Sequence, residues 1–303
     1  MPRDALLRSL SATTILLRPK HGLSLLNSKF DYEVLMQKRG KSISRSGMYT
    51  FPGGMFEPTD ACLKVTAMRE LFEETGVLLL DRSGVSGPQH EPHTIRNWQE
   101  RIHADASQFH AIAQTQLHAS IRWSALRHFC TFITPTFEKR KYTTLFFLAA
   151  ATADDCQTLQ IDGHETAAVC WVDPDDALAR NAAGVMSFIP PQFYVLSELA
   201  AHTSLEKVLD AFPAIPSGTD FAAHSAAAAI DCRGLPAMQP ALVPNPTTTG
   251  RGSEGRYAKY EVLTLPRDEC HPEHPGNPGQ RHRVYCPTPF PPGKSGFILD
   301  KNI

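Results

Sequence analysis

The sequence of 303 residues predicts an α/β fold, an α/β/α sandwich in which helices cover both faces of a mixed sheet. Two observations predict it. Runs of β-branched and aromatic residues alternate with stretches of helical periodicity along the first two thirds of the chain. The hydrophobic content of 42% also supports a sizeable core. Elements that alternate in this way pack as helices against one sheet.

The predicted strands are apolar runs bounded by turn residues. They cover residues 12–18, 32–38, 77–80, 127–135, 142–151 and 167–172. The predicted helices have apolar residues three and four positions apart. They cover residues 60–75, 174–183 and 191–202. Residues 94–119 carry Trp98, Ile102, Phe109 and Ile112 among polar residues, which predicts an insertion of one or two helices.

The chain is expected to divide into a domain at residues 10–210 and a loop-rich C-terminal extension at residues 211–303. Within the extension, residues 236–255 are rich in Pro, Gly and Thr, which predicts a flexible linker or a long loop. Residues 258–286 contain two apolar runs, Tyr260–Leu265 and Arg281–Tyr285, which can form a β-hairpin around a loop rich in Pro, His and Gly.

Residues 69–77 read Arg-Glu-Leu-Phe-Glu-Glu-Thr-Gly-Val and form the most informative pattern of the chain. Glu70, Glu73 and Glu74 stand at i, i+3 and i+4, so on a helix they share one face about 5–6 Å apart. Like charges at that spacing repel each other. Because a cation removes the repulsion and oxygen ligands suit hard metals, the pattern predicts a Mg²⁺ or Mn²⁺ site. The alternative is a solvent-facing helix surface, on which glutamates are common.

The flanking residues favour an oriented site over a solvated surface. Thr59 or Asp60 can cap the start of the helix, and Gly76 is placed to end it. Arg69 stands four residues before Glu73 and can pair with it. The side opposite the acids is apolar and is expected to be buried. It consists of Val65, Met68, Leu71 and Phe72.

Together with Phe-Pro-Gly-Gly at residues 51–54, this helix resembles a Nudix box. The pattern of that box is G-x5-E-x7-R-E-U-x-E-E-x-G-U, in which U is a bulky aliphatic residue. Its second half is matched at every defined position. In the first half, Gly54 and Arg69 are one residue further apart than in the pattern, and Asp60 stands near the expected glutamate. The resemblance implies a Nudix-type sandwich and assigns residues 10–210 to a Nudix hydrolase domain with a helical insertion at about 94–119.

Members of this family hydrolyse nucleoside diphosphates linked to another moiety with metal-activated water. By resemblance, Glu70 and Glu74 are metal ligands, Glu73 completes or tunes the site, and Gly54 and Arg69 belong to it. The implied cofactor is Mg²⁺ or Mn²⁺, which can bind diphosphate oxygens and lower the pKa of a bound water. Family members differ in which acid is the base, and some take it from outside the box. Glu165 is such an outside acid, with a solvated loop glutamate as the alternative.

Further segments resemble one branch of the family, the motif-19-type or peroxisomal-type coenzyme A diphosphatases. Arg39 lies where that branch has an arginine-containing stretch before the box. Residues 133–148 look like its I-T-P…R-F-D-T-x-F-F segment, with Lys141 in place of Arg and Thr143 in place of Asp. Arg39, Arg140 and Lys141 are therefore candidate phosphate-binding residues, with ordinary surface cations as the alternative. The implied substrate is coenzyme A or acyl-coenzyme A, cleaved to 3′,5′-ADP and a 4′-phosphopantetheine product.

Other functions stay open at this stage. The same chemistry can serve ADP-ribose, a dinucleotide or a capped RNA end, and a catalytically silent Nudix-fold binding module belongs to a different class. A formal net charge of −1 argues against nucleic acid or a membrane surface as partner, so a small-molecule nucleoside diphosphate derivative is expected.

The cysteines and the ends of the chain give further expectations. Seven cysteines without a CxxC pair indicate reduced thiols of an intracellular protein. Cys270, His271 and His274 lack the second ligand pair of a zinc site. The sequence has no run of 18 apolar residues, so it predicts no transmembrane helix. The resemblance implies a peroxisomal protein, but residues 301–303 do not form the usual peroxisomal address. A cytoplasmic location is the other expectation.

Overall fold

The computed structural model describes residues 9–22, 25, 28–40, 46–81, 92–115, 120–214, 237–243, 260–287 and 297–302. The strands up to residue 214 are β1 (Ser9–Pro19), β2 (Tyr32–Arg39), β3 (Tyr49–Thr50), β4 (Gly53–Met55), β5 (Leu80–Asp81), β6 (Ser120–Ile121), β7 (Arg127–Ile133), β8 (Tyr142–Ala150) and β9 (Thr166–Val172). β5 and β6 pair with each other, and the remaining strands form one seven-stranded sheet.

This sheet is mixed, as predicted. β1 runs parallel to β8 from Ser9 opposite Tyr142 to Leu17 opposite Ala150, and the other pairings in the sheet are antiparallel. β1 and β2 pair only where residues 17–19 meet residues 32–34. Beyond that point the two strands diverge, because β3 pairs with β2 and β4 pairs with β1. The segment that joins β3 to β4 therefore fills a gap in the sheet.

Helices cover both faces of the sheet, which confirms the α/β/α arrangement. They are α1 (Leu63–Thr75), α2 (Pro92–Ala104), α3 (Gln108–Thr115), α4 (Pro174–Ala182), α5 (Pro190–Ala200) and α6 (Leu205–Ala211). Alternate residues of β1 point into two separate cores, as expected for a strand buried on both faces. Leu16 packs in the core that contains α1 and α2, whereas Ile15 and Leu17 pack in the core that contains α5.

The helix that carries the glutamates differs from the prediction at its start. It begins at Leu63 rather than at residue 60, and its N-cap, Cys62, makes no capping hydrogen bond through its side chain. The prediction that Thr59 or Asp60 caps this helix is wrong, because the Asp60 carboxylate accepts hydrogen bonds from Arg69 and Thr66 instead. The helix ends as predicted at Gly76, whose φ of 68° is in the left-handed region that favours glycine.

The region after α1 is only partly as predicted. Of the predicted strand at residues 77–80, only Leu80 lies in a strand, β5. Val77, Leu78 and Leu79 are buried in the core beside α1 without strand pairing, so their apolar character reflects packing. α2 and α3 confirm the predicted helical insertion up to residue 115, and residues 116–119 lie outside the described part. Most of the predicted loop at 81–93 lies outside the described residues.

The described part of the extension forms a second sheet. Its four strands, in spatial order, are β10 (Ala241–Val243), β11 (Tyr260–Thr264), β12 (His282–Pro287) and β13 (Ile298–Lys301). β11 and β12 pair in the antiparallel sense, which confirms the predicted hairpin. The linker predicted at 236–255 is wrong at residues 241–243, which pair with β11, and residues 244–255 lie outside the described part.

This second sheet packs against α5. The hydroxyl of Tyr194 on α5 lies 3.0 Å from Nε2 of His282, and Lys301 binds Glu198 at 2.8 Å. Burial lowers the pKa of His282 to about 4, because the charged ring would lose its hydration. Within the described ranges, every helix is too short or too polar to cross a bilayer.

Candidate active site

The glutamates of α1 lie against the two glycines of β4. Oε2 of Glu74 accepts a hydrogen bond from the backbone N–H of Gly53 at 2.7 Å. The carboxylate of Glu70 lies so close to Gly54 that a Cβ on this glycine would stand 2.5 Å from Cδ of Glu70. Glycine is therefore required at position 54 because any larger residue would displace the carboxylate.

Arg69 connects the glutamates to the loop that precedes the helix. Its Nη1 donates to Glu70 at 2.9 Å and to Glu73 at 2.7 Å, which confirms the predicted pairing with Glu73. On its other edge, Nε and Nη2 donate to the carboxylate of Asp60 at 3.0 and 2.9 Å. The side chains of Arg69 and Asp60 are only 3% and 2% exposed. This buried network holds Glu70 and Glu73 in position.

Asp60 accounts for the departure from the box pattern. Residues 57–60 form a turn in which the Asp60 N–H donates to the Glu57 carbonyl and the Glu57 N–H donates to the Asp60 carboxylate. We infer that the additional residue is accommodated in this turn. Asp60 then supplies the negative charge that Arg69 needs, and its carboxylate accepts from Arg69 and Thr66.

The electrostatics of the site favour a bound cation. Burial raises the pKa of Glu70 to about 8. The positive charge of Arg69 lowers this pKa, and the negative charge of Glu73 raises it further. Burial and then repulsion from Glu70 hold the pKa of Glu74 well above its usual range. Burial also raises the pKa of Glu73, although Arg69 opposes it. Neighbouring carboxylates whose pKa values are raised by burial and by negative charge are stabilised in their charged form when a cation lies close to them.

These acids line one wall of a cleft. The opposite wall is formed by the polar side of α2, with Arg96, Gln99, Glu100 and His103, and by residues 162–165. Glu165, predicted as an acid outside the box, lies in this cleft, and its charge contributes to the raised pKa of both Glu70 and Glu74.

Gln99 fixes the two walls of the cleft to each other. Its side-chain amide nitrogen lies 3.0 Å from the Glu73 carbonyl oxygen and 2.9 Å from the Gln160 carbonyl oxygen. The first contact joins α2 to α1, and the second joins it to the segment that leads to Glu165. On the next turn of α2, Nδ1 of His103 lies 3.5 Å from Oε2 of Glu73.

The donor set fits a hard divalent cation held in part by substrate and water. Across the described ranges, no group of three or more His, Cys, Asp or Glu side chains is arranged to hold a metal by itself. Mg²⁺, however, is usually bound through one or two carboxylates together with waters and substrate phosphates. Glu70 and Glu74 fit that requirement, since their carboxylates lie at neighbouring glycines. Glu73 fits it less well, because Arg69 and His103 already face its two oxygens.

The predicted phosphate-binding residues lie outside the lining of this cleft. Arg140 is exposed in the turn between β7 and β8, and the Lys141 amine donates to the carbonyls of Pro135 and Thr136 in the same turn. Arg39 ends β2, next to Gly40, whose N–H donates to the Glu165 carbonyl at 2.7 Å. Arg39 is therefore near the cleft in the fold, while Arg140 and Lys141 belong to a separate turn. Their binding roles stay predictions.

The residues of α2 that face the cleft were not identified from the sequence. Arg96, Gln99 or Glu100, and His103 recur at intervals of three and four residues, on the side of the helix next to the buried Ile95, Trp98 and Ile102. This pattern was available as an amphipathic helix. It did not reveal that the polar side faces the glutamates, because that depends on how α2 packs on α1.

His271, one of the residues considered for zinc together with Cys270 and His274, binds backbone groups through its ring. Nδ1 of His271 accepts from the backbone N–H groups of Glu273 and His274, and Nε2 lies 2.9 Å from the Gln239 carbonyl oxygen. Both ring nitrogens of His271 are thus occupied by backbone groups.

Comparison with known proteins agrees with the fold and the glutamate helix. A NUDIX hydrolase from Alicyclobacillus acidocaldarius superposes with a TM-score of 0.56 at 24% identity, over 69% of this chain and 98% of that structure. The fold is thus that of a Nudix protein. Residues 57–199 match the family model described as the NUDT19 Nudix domain. The chain thus has a Nudix-type fold, and residues 57–199 are similar to the NUDT19 Nudix domain.

Three relatives in sequence each match about half of this chain. Putative nudix hydrolase 7 of Caenorhabditis elegans is 32% identical over 58% of this chain and 58% of its own length. Acyl-coenzyme A diphosphatase NUDT19 of Gallus gallus is 31% identical over 51% of this chain and 44% of its own length. The protein of that name from Homo sapiens is 29% identical over 49% of this chain and 41% of its own length. The chain thus spans about half the length of these relatives.

Proposed function

We propose that the protein is a divalent-metal-dependent Nudix diphosphatase that cleaves coenzyme A or acyl-coenzyme A. The products are 3′,5′-ADP and a 4′-phosphopantetheine compound. The observation that carries the proposal is the pair of Glu70 and Glu74, two carboxylates beside Gly54 and Gly53 whose pKa values are both raised, first of all by burial. Without a cation, such a pair is costly to keep charged.

The reaction is hydrolysis of the phosphoanhydride. A water oxygen forms a bond to one phosphorus, the bond from that phosphorus to the bridging oxygen breaks, and the water proton passes to a carboxylate. Mg²⁺ or Mn²⁺, when held by Glu70 and Glu74, would neutralise the diphosphate and lower the pKa of a bound water. Arg69 keeps Glu70 in position through the contact at 2.9 Å. Glu165, in the same cleft, is the acid outside α1 that can accept the proton.

The substrate class is supported by the relatives and by the cleft. Two of the relatives described above carry the name acyl-coenzyme A diphosphatase, and the match to the NUDT19 Nudix domain includes all three glutamates. α2 adds a second wall to the cleft, as an elongated substrate needs if it extends beyond the metal-bound diphosphate.

A panel of diphosphate compounds assayed with Mg²⁺ and with Mn²⁺ tests the proposal. The panel contains coenzyme A, an acyl-coenzyme A, ADP-ribose and a dinucleotide. We expect wild type to release 3′,5′-ADP from coenzyme A only when metal is present. Glu74→Gln keeps the shape of the side chain and removes its charge, so the rate should fall about 100- to 1000-fold, as when a preorganised electrostatic contact is lost.

Glu206→Gln is the matched control, because Glu206 is exposed on α6 and lies outside the lining of the cleft. It should keep activity within a few-fold of wild type. Absence of metal-dependent cleavage of every compound would overturn the enzyme proposal. Cleavage of ADP-ribose but not coenzyme A would overturn only the substrate.

A further inference from the structure

Arg96 on α2 is the one arginine or lysine among the residues that line the cleft. The other charged groups of the lining are the three glutamates of α1, together with Glu100, Asp162 and Glu165. An exposed arginine surrounded by carboxylates would be expected to pair with one of them. Over the ranges that the structure describes, however, Arg96 makes no hydrogen bond or ion pair.

Asp162, the acid next to Gly163, is already occupied. Its carboxylate accepts from the backbone N–H of Glu165 at 2.8 Å and from that of Thr166 at 3.0 Å. Nη1 of Arg96 lies over Gly163, 3.9 Å from the place where a Cβ would stand. The loop thus holds its own carboxylate in place and leaves the guanidinium exposed above a residue without a side chain.

The position of Arg96 relative to the glutamates follows from the contacts of α2. Ile95 packs beside Gly76, at the C-terminal end of α1, while His103 lies beside Glu73. The seven residues from Arg96 to His103 correspond to about 10 Å along the helix. Because Gln99 binds carbonyls of both neighbouring segments, this offset is set by the fold. Arg96 therefore lies toward the Gly76 end of α1, displaced along α2 from His103 and from its contact with Glu73.

We infer that Arg96 binds a phosphomonoester of the substrate that is separate from the diphosphate under attack. In a coenzyme A-type substrate this group is the 3′-phosphate of the ribose, so the inference rests on the proposed function and identifies a residue that determines specificity. Arginine suits this role because its planar guanidinium can donate two parallel hydrogen bonds to phosphate oxygens. A substrate that lacks the phosphomonoester, such as ADP-ribose, leaves Arg96 without a partner.

The inference is tested by comparing coenzyme A with dephospho-coenzyme A, which lacks only the 3′-phosphate. In wild type, kcat/KM should be about 10- to 100-fold higher for coenzyme A, the range that corresponds to a hydrogen bond between charged groups. Arg96→Gln should lower kcat/KM for coenzyme A and leave kcat/KM for dephospho-coenzyme A unchanged, so that the preference is lost. Arg101→Gln, a change of the same charge on the same helix at an exposed residue outside the cleft lining, should keep it.

A binding measurement separates this inference from the proposed function. Calorimetry with 3′,5′-ADP and 5′-AMP should show that Arg96→Gln weakens only the binding of 3′,5′-ADP, whether or not the protein cleaves coenzyme A. The inference would be overturned if Arg96→Gln lost affinity equally for both nucleotides, or lost kcat/KM equally for both substrates. It would also be overturned if the variant kept the preference of wild type, or if wild type did not bind 3′,5′-ADP. Failure of wild type to cleave coenzyme A, with selective loss of 3′,5′-ADP binding in the variant, would overturn the proposed function and support the inference.

Discussion

The ion pair between Asp60 and Arg69 allows a quantitative prediction about stability. Asp60→Asn keeps the size of the side chain and removes its charge, although Arg69 remains buried with 3% exposure. Removal of one partner from a buried ion pair costs about 3–5 kcal/mol. Nη1 of Arg69 retains Glu70 and Glu73, so its charge is still partly compensated. We therefore expect the free energy of unfolding to fall by about 3 kcal/mol, at the low end of that range.

Urea unfolding, followed by fluorescence and by circular dichroism, measures this loss. The control is Asp176→Asn, which removes a carboxylate 2.7 Å from Arg180 in a pair whose side chains are 46% and 50% exposed. An exposed pair of this kind contributes at most about 1 kcal/mol. Equal losses in the two variants, or a loss below about 1 kcal/mol in Asp60→Asn, would refute the conclusion that burial makes the Arg69 network important.

Two other predictions concern the site and the second sheet. Gly54→Ala should reduce metal-dependent activity by about 100-fold, the effect of a displacement of about 1 Å, because the Cβ would stand 2.5 Å from Cδ of Glu70. Its melting temperature should change little, since the flexible Glu70 can move, and wild-type activity would contradict the assignment. Burial lowers the pKa of His282 from 6.5 to about 4. Between these pH values the unfolded chain takes up a proton on His282 that the folded chain excludes, so the free energy of unfolding falls as the pH falls. From pH 7 to 5, wild type should lose about 2 kcal/mol of unfolding free energy more than His282→Gln in urea titrations, and parallel losses would contradict it.

The extent to which the sequence predicted the site depended on the distance between residues along the chain. Glu70, Glu73 and Arg69 are within one helical turn, so their relation follows from helix geometry, and the structure has the predicted Arg69–Glu73 contact. Asp60 was assigned to a helix cap from its local position, but its carboxylate binds Arg69, nine residues away. The polar side of α2 was visible as a pattern, whereas its partner across the cleft was not.

The same distinction applies to the fold. Apolar residues at 77–80 predicted a strand, but within the described ranges only Leu80 lies in one, and Val77–Leu79 pack in the core beside α1. Pro- and Gly-rich residues around β10 predicted a linker, but pairing with β11 places residues 241–243 in a sheet. The pairing partner of β10 lies about 20 residues further along the chain, and Val77–Leu79 are held by packing. A local pattern reports neither.

The sequence by itself determined which acids lie together on the glutamate helix, because the spacing of Glu70, Glu73 and Glu74 places them on one side whenever residues 63–75 are helical. It also determined where the helix stops, because Gly76 tolerates the left-handed conformation. Only the tertiary structure decided which backbone lies against Glu70 and which residues face it across the cleft. These contacts join segments separated by many residues, and they depend on strand register and helix packing, which no local periodicity encodes.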